Sequence, residues 1–223
     1  MEQVNSIDPN YSLIAAVHGI TGLVIFITGI LQFTLKKGNW LHRIIGRAYL
    51  YSWFVILTTG AYIGSLLIVA IVLLGFYLSI TGIRAAVLKG KPFAVIDKAI
   101  IITAGLVVLF MIAAGIIQLI KHNYTYAILA GFFSLLYSRI IVRDIQFYIF
   151  NKKVFRNDYG KMNWYVNHLT RMQFSFITAV GAFAAVQNVF GNMVLNFTLP
   201  ALVGVIVIRL STRHFVKNLD SVN

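Results

Sequence analysis

Long uncharged, apolar runs constrain this 223-residue sequence more than any other feature. The first run, Tyr11–Leu35, has 25 residues and no charge beyond the titratable His18. A helix that crosses a bilayer needs about 20 apolar residues, so this run predicts a transmembrane helix. Two later runs, Ala48–Ile83 and Met172–Ile208, are each too long for one crossing.

Polar and small residues divide both of these double-length runs. Gly60, Gly64 and Ser65 interrupt the first run, and a cluster from Gln187 to Asn192 interrupts the second. The predicted fold is therefore an all-α integral membrane protein, a single domain (1–223) forming a seven-transmembrane-helix bundle, with a kink at Pro200. The predicted spans are about 11–35, 41–62, 65–88, 99–120, 124–147, 164–187 and 193–213.

The distribution of basic residues predicts the orientation of this bundle. With seven crossings, one side holds the segments 36–47, 84–98 and 139–171 and the tail from 209, which contain 18 of the 19 Lys and Arg residues. Basic residues concentrate on the cytoplasmic side of a membrane protein. We therefore expect the N-terminus outside and the C-terminus in the cytoplasm.

Composition narrows the function classes. A net charge of +13 can indicate nucleic-acid binding, but here the basic residues flank the spans, so anionic lipid headgroups are the expected partner. Only 11% of residues are charged, against about a quarter in soluble domains. The absence of cysteine excludes disulfides and thiolate chemistry. No phosphate-binding loop, zinc-protease motif or serine elbow occurs, and no enzyme class is predicted.

Two histidines occupy equivalent positions beside tryptophans that mark the membrane interface. His42 follows Trp40, and His168 follows Trp164. Two imidazoles at matched depth on different helices could hold the iron of haem b as axial ligands, which is the alternative functional hypothesis. Otherwise each histidine caps its helix or meets a headgroup. No other metal or cofactor is predicted.

His18 lies within the first span, about 25 Å from the cytoplasmic end at helical rise. An ionisable residue inside a span is a functional candidate by default, although a hydrogen bond to Thr or Tyr of another helix would also explain it. Small residues on the faces carrying His18 and His168 predict that both side chains point into the bundle.

Charged residues near the cytoplasmic helix ends form the principal candidate site. We predict a polar pocket for an anionic lipid or a small anion, and Asp144 is expected to pair with Arg47 or Arg139 because an unpaired buried charge is costly. Topology-enforcing anchors are the competing interpretation. The predicted pocket residues are His42, Arg43, Arg47, Arg84, Arg139, Asp144, His168 and Arg171.

Several motifs resemble one bacterial family of predicted membrane proteins, called domain of unknown function 2306. The similar segments are Leu41-His-Arg-x2-Gly-Arg-x-Tyr49, Gly75-Phe-Tyr-Leu-Ser-Ile-Thr-Gly82-Ile-Arg84 and His168-x2-Arg171-Met172. The resemblance runs from about His18 to Arg213. It implies a multi-pass protein of the bacterial cytoplasmic (inner) membrane and no particular activity. The matched positions are His18, His42, Arg43, Gly46, Arg47, Arg84, His168 and Arg171.

Overall fold

A computed structural model of the chain describes residues 9–91, 94–150 and 162–220, and within them the chain is helical with no strand. Seven long helices follow one another, and a π-helical turn at Ile145–Ile149 continues the fifth. They are α1 (Pro9–Thr34), α2 (Trp40–Ile63), α3 (Leu66–Leu88), α4 (Val95–Ile120), α5 (Tyr124–Asp144), α6 (Asn163–Val186) and α7 (Met193–Asp220).

Six of the seven helices are long and apolar enough to cross a membrane, which supports an integral membrane protein. The exception is α2, which carries Arg43 and Arg47 near its start and several Tyr, Ser and Thr residues further along. It still has 24 residues, which corresponds to about 36 Å of helix. The six are therefore distinguished from α2 by composition rather than by length.

The predicted helices agree with those in the structure. The two double-length runs are broken at Gly64–Ser65 and between Val186 and Met193, as predicted. The predicted start of the fourth helix is four residues too late. Asp97 accepts a hydrogen bond from the backbone N–H of Ala94 at 2.9 Å, and this contact stabilises an additional first turn. α7 continues through Pro200 to Asp220.

Contacts between α1 and α2 show that the two helices run antiparallel along their whole length. Gln32 donates a hydrogen bond to the backbone carbonyl of His42 at one end, and His18 meets Thr59 at the other. The remaining helices alternate in the same way around α3, which packs against α2, α4, α5 and α6. One end of the bundle, here called the basic end, consequently gathers the α1–α2 and α3–α4 connections, the start of α6 and the end of α7.

Close approach of α6 to α3 organises the core. A Cβ atom at Gly75 would lie 2.5 Å from the Trp53 ring and 3.0 Å from Thr178. A Cβ at Gly82 would lie 3.0 Å from the sulfur of Met172 and 3.1 Å from Cβ of Arg171. Small residues allow helices to approach closely where lipid offers no hydrophobic driving force. These two glycines therefore set the spacing between α3 and α6.

Gly75→Ala should destabilise the bundle, because the new methyl group forces Trp53 or α6 to move. Overpacking of this kind typically costs about 1–3 kcal/mol. Thermal unfolding in detergent would measure the loss. Gly131→Ala is the matched control, because a Cβ there meets nothing within 4 Å. Equal melting temperatures for Gly75→Ala and the control would contradict this account of the α3–α6 interface.

Candidate functional site at the basic end

A row of polar side chains along α6 leads from the basic end into the core. The row consists of His168, Arg171, Ser175 and Thr178, which share one helix face by their spacing. Ser175 hydrogen-bonds Tyr49 of α2 at 2.9 Å, and Thr178 hydrogen-bonds Tyr137 of α5 at 2.7 Å. The face predicted from His168 and Ser175 does point into the bundle, and every member of the row has a partner on another helix.

Arg171 and Asp144 form a buried ion pair at the centre of this row. Their side chains are 8% and 5% exposed. A second guanidinium nitrogen of Arg171 donates to the hydroxyl of Thr81 at 2.9 Å, and the hydroxyl of Tyr77 donates to the other carboxylate oxygen of Asp144. The charges are thus paired and hydrogen-bonded on three helices, α3, α5 and α6, which is the condition for tolerating them in a core.

The predicted partner of Asp144 was wrong. Arg47 and Arg139 are both exposed, whereas Asp144 binds Arg171. The reason is rotation about the helix axis. Each residue turns an α-helix by about 100°, so Asp144 faces the core although Arg139, five residues earlier on the same helix, faces outward.

His42 and His168 lie together, with their ring centroids 6.3 Å apart and their planes at 75°. Nδ1 of His168 donates to the carbonyl of Gly82 at 2.9 Å, which leaves Nε2 as the nitrogen with a free lone pair in the neutral ring. Nδ1 of His42 is buried and has no hydrogen-bond partner among the described residues. Asn39, rather than either imidazole, caps α2 by accepting from the backbone N–H of His42 at 2.7 Å.

Arg84 is held by Asp97 and has a structural role. Two guanidinium nitrogens donate to the two carboxylate oxygens at 2.6 and 2.8 Å, and Asp97 is buried. This bidentate pair ties the end of α3 to the start of α4 across the connection between them. Its charge is matched by Asp97, and its side chain remains 32% exposed.

Arg43, Arg47 and Arg139 are exposed, and none forms a hydrogen bond or an ion pair through its side chain with the described residues. Arg43 and Arg47 lie one turn apart on the outward face of α2, and Arg139 lies on the outward face of α5. The eight residues predicted for one pocket are therefore divided among an imidazole pair, two internal ion pairs and two outward surfaces.

His18 lies near the other end of α1, where its Nδ1 is 2.8 Å from the hydroxyl of Thr59 and its ring contacts Gly60. A hydrogen bond to a Thr or Tyr of another helix was the structural alternative that the sequence analysis gave for His18. The basic loop residues Lys152, Lys153, Arg156 and Lys161 lie outside the described residues.

Sequence reasoning missed Tyr77 and Thr81, the α3 groups that complete the Arg171–Asp144 network. A signal exists, because a threonine and a tyrosine four residues apart on a buried helix need hydrogen-bond partners. This signal indicates that both hydroxyl groups require hydrogen-bond partners, but it does not identify the partner residues.

No protein-family model, curated protein or solved structure matches this chain. The fold and the site therefore define a class, a helical protein with six helices apolar enough to cross a membrane.

Asp144→Asn should strongly destabilise the protein, because it leaves Arg171 charged and buried. Breaking a buried pair by removing one partner typically costs about 3–5 kcal/mol. Equilibrium unfolding in mixed micelles would measure it, with Arg213→Met on the exposed face of α7 as the control. The double variant Arg171→Met with Asp144→Leu should recover most of the loss. A double variant as unstable as Asp144→Asn would contradict the pairing.

Proposed function

We propose that all seven helices cross the bacterial inner membrane, with the basic end at the cytoplasm. The antiparallel contacts of α2 with α1 support a crossing by α2 as well, since the connections at 35–39 and 64–65 are too short to return the chain otherwise. The concentration of basic residues at one end supports the orientation.

At this end we propose that the protein binds an anionic phospholipid on the outward face of α2. That face, here called the α2 face, consists of Trp40, Arg43, Arg47, Tyr51 and Phe54. Trp40, Tyr51 and Phe54 are 69%, 67% and 57% exposed. Their spacing of three or four residues keeps all five on one side of the helix.

The main support for this proposal is that the side chains of Arg43 and Arg47 face outward and have no hydrogen-bond or ion-pair partner among the described residues. Side chains on a helix tilt towards its N-terminus, which for α2 is the basic end. Both guanidiniums therefore extend towards the headgroup layer, where Trp40 lies at interface depth, while Tyr51 and Phe54 lie deeper, alongside the acyl chains. Arg84 and Arg171 are already neutralised by Asp97 and Asp144 and take no part.

The double variant Arg43→Gln with Arg47→Gln should weaken binding of a fluorescent phosphatidylglycerol to the full chain in zwitterionic nanodiscs. Each basic residue near a membrane surface contributes about 1 kcal/mol, so we expect about a 30-fold loss. Arg209→Gln with Arg213→Gln is the matched control, an exposed pair of the same spacing on α7.

Equal losses from the two double variants would contradict a specific site on α2 and would leave a general attraction of the basic end for anionic lipid. Displacement of the lipid probe by inorganic phosphate at equal concentration would assign the α2 face to small anions instead.

A second candidate, a haem-b electron carrier, is favoured by the His42–His168 geometry. His42 and His168 are the residues that would hold the haem iron, since their ring centroids lie 6.3 Å apart. The Gly82 carbonyl accepts a hydrogen bond from Nδ1 of His168 and fixes the orientation of the ring, as backbone carbonyls do for metal-ligating histidines. The bound group would supply one-electron transfer.

An absorption spectrum of the detergent-purified chain tests this candidate. The haem hypothesis predicts a Soret band that His42→Ala and His168→Ala each abolish while His122→Ala, in the α4–α5 connection, retains it. A colourless protein after expression with added haem would contradict it.

A further inference from the structure

The outward face of α5 carries a charge among apolar residues. Residues with three- or four-residue spacing form one stripe along the helix, here called the α5 stripe. Leu135 is 76% exposed and Ile128 is 51% exposed, and Arg139 follows one turn after Leu135. The α5 stripe is Tyr124, Ile128, Gly131, Leu135, Arg139 and Val142.

Contacts with α4 give the depth of Arg139. A Cβ at Gly115 would lie 3.1 Å from Ala130, and a Cβ at Gly105 would lie 3.8 Å from Ile141. This antiparallel register sets Arg139 opposite Val107, in the middle of the 26-residue helix α4. The distance to either end of α4 is about 18 Å along the axis. Arg139 thus differs from Arg43 and Arg47, which lie within the first two turns of α2.

An arginine at this depth cannot reach the headgroups easily. Its side chain tilts towards the N-terminus of α5, which is the end opposite the basic end, so extension towards the basic end works against that tilt. No hydrogen bond or ion pair of its side chain is present within the described part of the chain. A charged side chain facing hydrocarbon without a partner is costly, so its position indicates a partner beyond the described helices of this chain.

A groove beside the α5 stripe offers space for that partner. The groove between α4 and α5 has a volume of about 500 Å³. Ala127, Gly131 and Ser134 line it on α5, and Gly115 lines it on α4. A Cβ at Gly131 would meet nothing within 4 Å. Small residues along an outward groove are the surface on which transmembrane helices pack closely.

We infer that this groove and Arg139 together bind a transmembrane helix of a different protein, one that carries a carboxylate near its middle. A carboxylate at that depth would pair with the guanidinium and remove the uncompensated charge. A second copy of the chain is a poorer fit, because the two carboxylates within its described helices away from the termini, Asp97 and Asp144, are buried and already paired. Lipid phosphates lie at headgroup depth and do not reach the middle of α4.

This inference rests on the proposed crossing of the membrane but not on lipid binding at the α2 face. The test uses the full chain in zwitterionic vesicles, so that no anionic lipid is present. A donor dye on Asn123→Cys, the only cysteine in the labelled chain, reports energy transfer to a Leu/Ala transmembrane peptide with one central Glu. The matched peptide has Gln in place of that Glu.

The Glu peptide should bind about tenfold more tightly than the Gln peptide. Arg139→Leu should abolish that difference, whereas Arg47→Leu should preserve it because Arg47 lies on α2. Gly131→Leu should weaken the binding of both peptides by filling part of the groove, since Gly131 lines it and a Cβ there meets nothing within 4 Å.

Equal binding of the Glu and Gln peptides would overturn the inference, as would a difference that survives Arg139→Leu. If copies of the chain show energy transfer to one another, and Arg139→Leu removes it, the groove would be assigned to a second copy. If added phosphatidylglycerol displaces the Glu peptide, and does so equally well in the Arg47→Leu variant, the groove would be assigned to a lipid. Failure of lipid binding at the α2 face affects none of these results.

Discussion

The close contact between α3 and α6 is the interaction on which the rest of the bundle depends. Gly75 and Gly82 let the two backbones approach, and Arg171 then reaches across to Thr81 and Asp144. A buried ion pair contributes little net stability compared with apolar side chains of similar size, but breaking it is strongly unfavourable. The pair therefore acts mainly to fix which faces of α3, α5 and α6 meet. The imidazole pair at the basic end follows from the same registration, because His168 bonds the carbonyl of Gly82.

The same helix packing determines which arginines are paired inside the protein and which face outward. Arg84 and Arg171 form ion pairs with Asp97 and Asp144 inside the protein. Arg43, Arg47 and Arg139 face outward, and their depths differ: the first two lie in the first turns of α2, and Arg139 lies opposite the middle of α4. The depth of a lipid-facing charge decides what can neutralise it. We propose headgroups as the partner of the α2 face and a carboxylate on another helix as the partner of the α5 stripe.

The helices and the matched depth of His42 and His168 could be predicted from the sequence. The arginine that pairs with Asp144 could not. Run length and the polar breaks locate seven helices, since a double-length apolar run must turn somewhere. Tryptophans mark depth, and His42 and His168 do meet. Depth says nothing about rotation about a helix axis, however, and so Asp144 was assigned to the wrong arginine. The sequence did contain a signal for the correct partner. Arg171 is spaced so that it shares a helix face with His168 and Ser175, and that face was predicted to point into the bundle.

The most direct test of this sorting is a spin-label depth scan of α5 in liposomes, from Gly131 to Gln146, using single-cysteine variants of this cysteine-free chain. The account predicts that oxygen accessibility peaks at positions 131, 135, 139 and 142 with helical periodicity. Position 139 should lie close to the bilayer centre, and position 141, where Ile141 is buried, should be shielded from both oxygen and an aqueous relaxation agent. A label at 139 that is buried in protein, or that lies at headgroup depth, would contradict the account.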